Sequence, residues 1–261
     1  MAKSHQENDL DLWYTRIAAI RDRQLLEAYR DLLTPEEVQR AQRFVFDRHR
    51  DQYLITRALV RTTLSRYADV EPRDWEFQQD RYGKPHVAGP VTLPLAFNLS
   101  HTDGLVICGV AAVSMLGVDV ERIDRATEAL SIARRFFARP EVEYLASANE
   151  PDRRATFLQI WTLKEAYIKA RGEGLSIPLA DFAFEFRSNE PASIRFLKLL
   201  DDDAQRWQFF QLEAIPYRIA IAARQASAES LRLCICDTIP LQETGPKRSL
   251  DLEHGVAGVS L

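Results

Sequence analysis

The sequence predicts an α+β protein of two similar lobes, each with helices packed on a small antiparallel sheet, the two related by a pseudo-two-fold. Three observations carry this expectation. Each half runs from charged helical segments into short apolar strands. The hairpin-like AFNLSHTDGLVICGVAA is echoed by QFFQLEAIPYRIAIAAR, and the helical stretch 51–67 by 152–170. The length, 261 residues, suits two modest domains. Duplication and two independently built lobes both account for so loose an echo. The expected division is an N-terminal lobe over 1–113, a C-terminal lobe over 114–240, and a loosely held tail over 241–261.

The elements follow from local chemistry. Residues 21–67 are helical in pattern, and Thr34-Pro35-Glu36-Glu37 places a cap, a proline and two acids at a helix start. Tyr82-Gly83-Lys84-Pro85 carries turn chemistry. Segments 95–99, 105–113 and 117–121 read as strands, the first two around the turn Ser100-His101-Thr102-Asp103-Gly104. Residues 127–149 are helical, and a longer helix follows Pro151 and stops at Gly172 and Gly174. The strand-like runs FAFEF, SIRFLKLL, WQFFQLEAI and YRIAIAA complete the second half.

Composition bounds the function. With 46% hydrophobic and 28% charged residues the chain reads as an ordinary globular protein. A net charge of −4 argues against coating nucleic acid, and no apolar run reaches bilayer length. The opening MAKSHQENDLDLW is polar and acidic where a secretory leader needs an apolar stretch, so a cytoplasmic protein is expected. Cys108, Cys234 and Cys236 fit a reducing compartment. The last two share one face of an apolar strand, where buried packing outweighs a metal site.

Three constellations can carry chemistry. In Gly117-Val118-Asp119-Val120-Glu121, alternation puts Asp119 and Glu121 on one strand face, roughly 6–7 Å apart, a spacing that can share a hard cation. The alternative is a half-exposed strand with a polar outer side. In WTLKEAYIK (161–169), Lys164, Glu165 and Lys169 are set into a helix that is apolar nearly all round, so they need partners. A solvated face with an i, i+4 pair is disfavoured, because no wide polar face exists. The third set is Arg40, Arg43, Arg48, His49, Arg50, Arg57, Arg61, Lys84 and His101, groups suited to phosphate. At least half of these arginines are expected simply to face solvent.

In order along the chain, YGKP (82–85), FNLSH (97–101), GVDVE (117–121), RRFFARPEVEYL (134–145) and WTLKEAYIKARGEGLSIPL (161–179) resemble the motifs of the 4′-phosphopantetheinyl transferase family, two-lobed surfactin-synthetase type. The resemblance spans about 34–224. It implies transfer of 4′-phosphopantetheine from coenzyme A to a serine of an apo acyl or peptidyl carrier protein, releasing adenosine 3′,5′-bisphosphate. It further implies magnesium held by Asp119, Glu121 and Glu165, with Lys164 and Lys169 at the phosphates and Glu165, Lys169 and Lys164 as the catalytic set. Lys84, His101 and an arginine of the 48–57 helix, here Arg50, are implied at the nucleotide phosphates together with Lys164 and Lys169. Since both halves are present, the resemblance implies a monomer whose site forms within one chain. One departure stands out: Glu37 occupies a position that is often basic, leaving Arg40 or Arg43 to serve instead. A binding module without catalysis and a magnesium-dependent phosphohydrolase are the competing classes.

Overall fold

The computed structural model describes residues 8–89, 93–124, 128–198, 200, 202–225, 230–242, 244–250, 252 and 255–261. The first seven residues of the opening stretch, residue 127 of the expected helix 127–149, Leu199 of the expected strand SIRFLKLL and parts of the expected tail lie outside these.

In chain order the elements are β1 (Asp9–Arg16), α1 (Arg23–Arg30), α2 (Pro35–Gln42), α3 (Asp47–Leu64), β2 (Glu76–Gln79), β3 (Pro85–Ala88), β4 (Ala96–Thr102) and β5 (Leu105–Ala111). There follow β6 (Met115–Arg122), α4 (Ala129–Phe136), α5 (Arg139–Ser147), α6 (Glu150–Arg171), β7 (Phe182–Glu185) and β8 (Ser193–Phe196). The chain ends with β9 (Trp207–Ala214), β10 (Tyr217–Arg224), β11 (Arg232–Asp237), β12 (Arg248–Ser249) and β13 (Val256–Gly258). This is an α+β architecture in two compact units.

One unit comprises Met1–Ala112 with Arg232–Ser249, the other Val113–Leu231 with Leu250–Leu261. The first has a five-stranded sheet in the order β12-β11-β1-β5-β4. Along α3, Leu54, Ile55, Ala58 and Leu59 bury against Val106, Cys108 and Val110 of β5 and Trp13 of β1. The second has a four-stranded sheet in the order β13-β9-β10-β6, on which α6 lies. Its core joins Leu163, Ala166, Tyr167 and Ala170 of α6 to Ala220, Ala222 and Phe209 of the sheet. Among the described residues no helix is long and apolar enough to cross a membrane.

Each of these two larger sheets departs from the expected antiparallel pattern at one pairing. β1 runs parallel to β11, and β13 parallel to β9. In both cases a late segment of chain returns beside a strand already formed. Residues 232–249 therefore pack with the first unit, and two short strands fall beyond residue 241, where a loose tail is expected. β1 itself is absent from the sequence reading, although seven of its eight residues are buried.

Helix boundaries follow their caps. Thr34 and Glu37 form a reciprocal capping box at α2, with Pro35 at the first position. Gly172, at φ 73°, ends α6 in the left-handed conformation. The expected helix 127–149 is divided into α4 and α5 by the extended residues Phe137 and Ala138, with Pro140 opening α5. The strand expected over 95–99 runs on as β4 through Ser100, His101 and Thr102, leaving a tighter turn at Asp103 and Gly104.

Candidate active site

In the second unit the edge strand β6 and helix α6 make an unusually close approach. A Cβ added at Gly117 would lie 2.0 Å from the Ala166 carbonyl oxygen and 2.4 Å from the Ala170 nitrogen. No other residue type tolerates such backbone contact. Register carries small residues across the same face: Gly117 stands beside Ala222, and Asp119 beside Ala220. The helix thus lies low on the sheet, and the next outward residues on that face of β6 are Asp119 and Glu121.

Two α6 side chains meet them. Lys169 donates from Nζ to Asp119 Oδ1 at 2.6 Å, and Asp119 is buried. Glu165 is half-buried. Burial pushes its carboxyl above the ordinary value, the Asp119 and Glu121 charges push it further, and Lys169 opposes them. The structure therefore brings Asp119, Glu121, Glu165 and Lys169 to one electrostatic neighbourhood. All the acidic donors are oxygens, the set a hard divalent cation takes, so the residues fit magnesium. Their oxygens are not drawn as tightly together as those of another trio. The ligand atoms of Asp9, Asp11 and Cys234 in the first unit all lie within 4.8 Å of one another. There Lys247 Nζ is 2.6 Å from Asp9 and 2.7 Å from Asp11, so an ammonium already holds the cation's place.

Lys164, expected at the phosphates and in the catalytic set, is fully buried, with Nζ 2.8 Å from Glu141 Oε2. It also donates to the Leu179 and Phe182 carbonyls, each at 2.7 Å. Lysine has three N–H donors, and all three are used. It lies one residue, about 100°, around the helix from Glu165, which faces β6. Glu141 escapes sequence reasoning because an acid in the first turn of a short helix ordinarily faces water.

The first unit holds the remaining candidates. Lys84 closes the β2–β3 hairpin, where Asp80 Oδ1 accepts the backbone N–H groups of Tyr82 and Lys84 at 2.8 and 3.0 Å. Gly83, at φ 90°, makes that turn possible. Burial pulls the Lys84 ammonium down to about 8, against the opposing charge of Asp80. His101 is exposed near the end of β4. Arg50 stands in the first turn of α3, paired with Asp47.

A cavity of about 690 Å³ opens beside this hairpin, lined by Thr34, Glu37, Arg40, Tyr53, Arg57 and Phe77 among others. Arg50, Lys84 and His101 are not in its lining. Glu37 binds Arg57 at 3.4 Å and the fully buried Arg61 at 2.5 Å. Arg40 lies with its guanidinium 5.8 Å from the Tyr53 ring centroid, inside the cavity wall. Arg43 is instead hydrogen-bonded to Gln39 and absent from the lining.

Comparison with known proteins places these features. Residues 115–227 match the 4′-phosphopantetheinyl transferase superfamily, and residues 21–114 match the 4′-phosphopantetheinyl transferase N-terminal family. The 4′-phosphopantetheinyl transferase HetI of Nostoc sp. is 32% identical over 203 residues, 75% of this chain and 84% of that protein. The chain belongs to the 4′-phosphopantetheinyl transferase family. Sfp of Bacillus subtilis is 31% identical over 64% of this chain and 73% of its own length. The Bacillus pumilus transferase psf-1 is 29% identical over 83% and 90% respectively. The 4′-phosphopantetheinyl transferase superfamily match contains Gly117, Asp119, Glu121, Glu165 and Lys169 together, and the N-terminal match contains the whole capped α2–α3 segment.

Proposed function

We propose that this chain transfers the 4′-phosphopantetheine group from coenzyme A to the serine hydroxyl of an apo acyl or peptidyl carrier protein, releasing adenosine 3′,5′-bisphosphate. The observation that carries the reading is the set of Glu165 and Lys169 on α6 facing Asp119 and Glu121 across the Gly117 contact. The family membership and the identity to HetI and Sfp support the reaction class.

In this reading Asp119, Glu121 and Glu165 hold magnesium. When bound, the ion neutralises pyrophosphate charge and that of the departing bisphosphate. The chain's own residues do the rest. Lys169 exchanges part of its hold on Asp119 for a phosphate oxygen, keeping a positive charge where negative charge develops. Glu165, with its carboxyl raised by burial and by its acidic neighbours, is the group suited to receive the serine proton if the metal leaves one oxygen accessible. In the first unit, Lys84, His101 and Arg50 are proposed for the nucleotide phosphates. Arg40, in the cavity wall, joins them on the strength of its position. The protein is proposed to act as a monomer in the cytoplasm.

Incubating the chain with coenzyme A, magnesium and an apo carrier protein tests the reading by mass spectrometry. A phosphopantetheine mass increment on the carrier serine is the expected result. Cleavage of coenzyme A with no carrier present would instead support a hydrolase.

A further inference from the structure

The buried pair Glu141–Lys164 has no role in the chemistry proposed above, yet it is built with unusual completeness. Glu141 Oε2 accepts the Ala138 N–H at 3.1 Å and meets Lys164 Nζ at 2.8 Å; Oε1 accepts the Phe184 N–H at 2.9 Å. Lys164 adds its two carbonyl contacts, and its ammonium lies 4.1 Å from the centroid of the Phe182 ring. Four segments converge on this one pair: the start of α5, α6, the turn at Leu179, and β7.

We infer that Glu141 and Lys164 are positioning residues that set the rotation of α6 about its axis and so aim Glu165 and Lys169 at β6. Lys164 and Glu165 are neighbours about 100° apart on the helix. Any roll of α6 that brought Lys164 toward substrate would carry Glu165 off Asp119 and Glu121. Hydrophobic packing alone holds such a helix weakly against rolling, because its apolar surface runs nearly all round. A buried ion pair contributes little net stability over an apolar pair, but its directional bonds select one arrangement. This inference rests on the proposed roles of Glu165 and Lys169.

The test uses the full chain and the variants Glu141→Gln, Lys164→Met and the double variant. It reads magnesium and coenzyme A affinity by calorimetry, kcat and KM for transfer, and Tm. A wild-type chain that fails to transfer sinks the functional reading and leaves this inference without its premise, so that control comes first. With the wild type active, Glu141→Gln is expected to weaken magnesium binding severalfold and lower kcat about tenfold, although Glu141 is 1% exposed and bonded to Lys164. Lys164→Met leaves a buried carboxylate without its cation, and the double variant is expected to regain at least fivefold of the lost kcat. If Lys164 instead touches phosphate, Glu141→Gln binds coenzyme A and magnesium normally, and the double variant recovers nothing. Either result overturns the inference. So does a lowered Tm with wild-type kcat below the transition. Should Lys164→Met fail to fold, the Glu141→Gln measurements decide alone.

Discussion

Lys169 on α6 reaches across to β6 and donates to Asp119 at 2.6 Å, while Glu165, one helical turn earlier, carries a carboxyl raised by burial and by Asp119 and Glu121. Asp119, Glu121 and Glu165 thus lie within one another's electrostatic reach, and a divalent cation would lower their mutual repulsion, which gives the acidic cluster a measurable consequence.

Asp119→Ala is expected to remove a proposed metal donor and leave Lys169 without its carboxylate. Transfer should fall by at least about 10²-fold, with the circular dichroism spectrum unchanged. Glu121→Ala, which sits further out and half-exposed, should lose less at saturating magnesium and more at low magnesium. Titrating the transfer rate against magnesium separates the two. Wild-type rates at low magnesium in either variant would remove that residue from the ligand set.

Gly117→Ala tests the contact that places the whole cluster. The added Cβ meets backbone atoms of α6, which cannot rotate aside as a side chain would. The expected cost is about 3 kcal/mol or more, at the upper end of overpacking. Denaturant midpoints give the number. A variant of normal stability would mean that α6 rides higher over β6 than the close approach implies.

Much of this was legible in the sequence, and the parts that were not have a common cause. Asp119 and Glu121 announce themselves by strand alternation next to a glycine, and α6 by its cap, its length and its charges set among apolar residues. What local pattern cannot supply is a partner distant in sequence. The segment that forms β1 reads only as part of a polar, acidic opening stretch, since Asp9 and Asp11 draw the eye before Leu10 and Leu12 do. It becomes a buried central strand because Arg232 and Lys247 neutralise them from more than two hundred residues away. The apolar surroundings of Lys164 show that it needs a partner, but not that the partner is Glu141 on another helix. Arg50 matches the resemblance, whereas the cavity wall is formed by Arg40 and Arg57, whose places depend on the fold of α2 against α3.

Lys247→Met follows from that account. It leaves Asp9 with Arg232 and Asp11 with Tyr67, but takes away the ammonium that spans both buried carboxylates. Because Lys247 is itself 38% exposed and each aspartate keeps another partner, the cost is about 1–2 kcal/mol, well below that of a fully buried pair. Thermal unfolding is expected to show the loss, with no change in the magnesium requirement of the remaining folded enzyme. An unaltered Tm would mean that the 232–249 segment contributes little to holding β1.

Lys84 makes two pH curves run in opposite directions. Its ammonium titrates near 8 in the folded protein and near 10.5 when unfolded. Between those values the unfolded chain binds more protons, so the Lys84 contribution makes stability rise with pH across that window. A phosphate contact works the other way, because only the charged form attracts it. Coenzyme A affinity should therefore fall as pH rises through about 8. Lys84→Arg keeps a charge throughout and should flatten the binding curve. Affinity independent of pH from 7 to 9 in the wild type would take Lys84 away from the phosphate.

Glu165→Gln separates the two roles open to that carboxylate. The amide preserves shape and one acceptor oxygen but removes charge and basicity. If Glu165 is chiefly a metal ligand, coenzyme A binding in the presence of magnesium should weaken, and excess magnesium should restore much of the rate. If it chiefly receives the serine proton, metal and coenzyme A affinities should persist while turnover falls by roughly 10²–10⁴-fold. The geometry favours the ligand role with a share in proton transfer. Asp119 is engaged by Lys169 and buried, so Glu165 is left to complete any cation site from the helix side. A carboxylate close to a divalent ion is also a weak base. A bound cation would pull the raised carboxyl back down. The pH profile of transfer should therefore shift its acid limb downward as magnesium is raised, in the wild type but not in Glu165→Gln. A Gln variant with normal magnesium dependence and normal turnover would exclude both roles and leave Glu165 as a structural neighbour of Lys169.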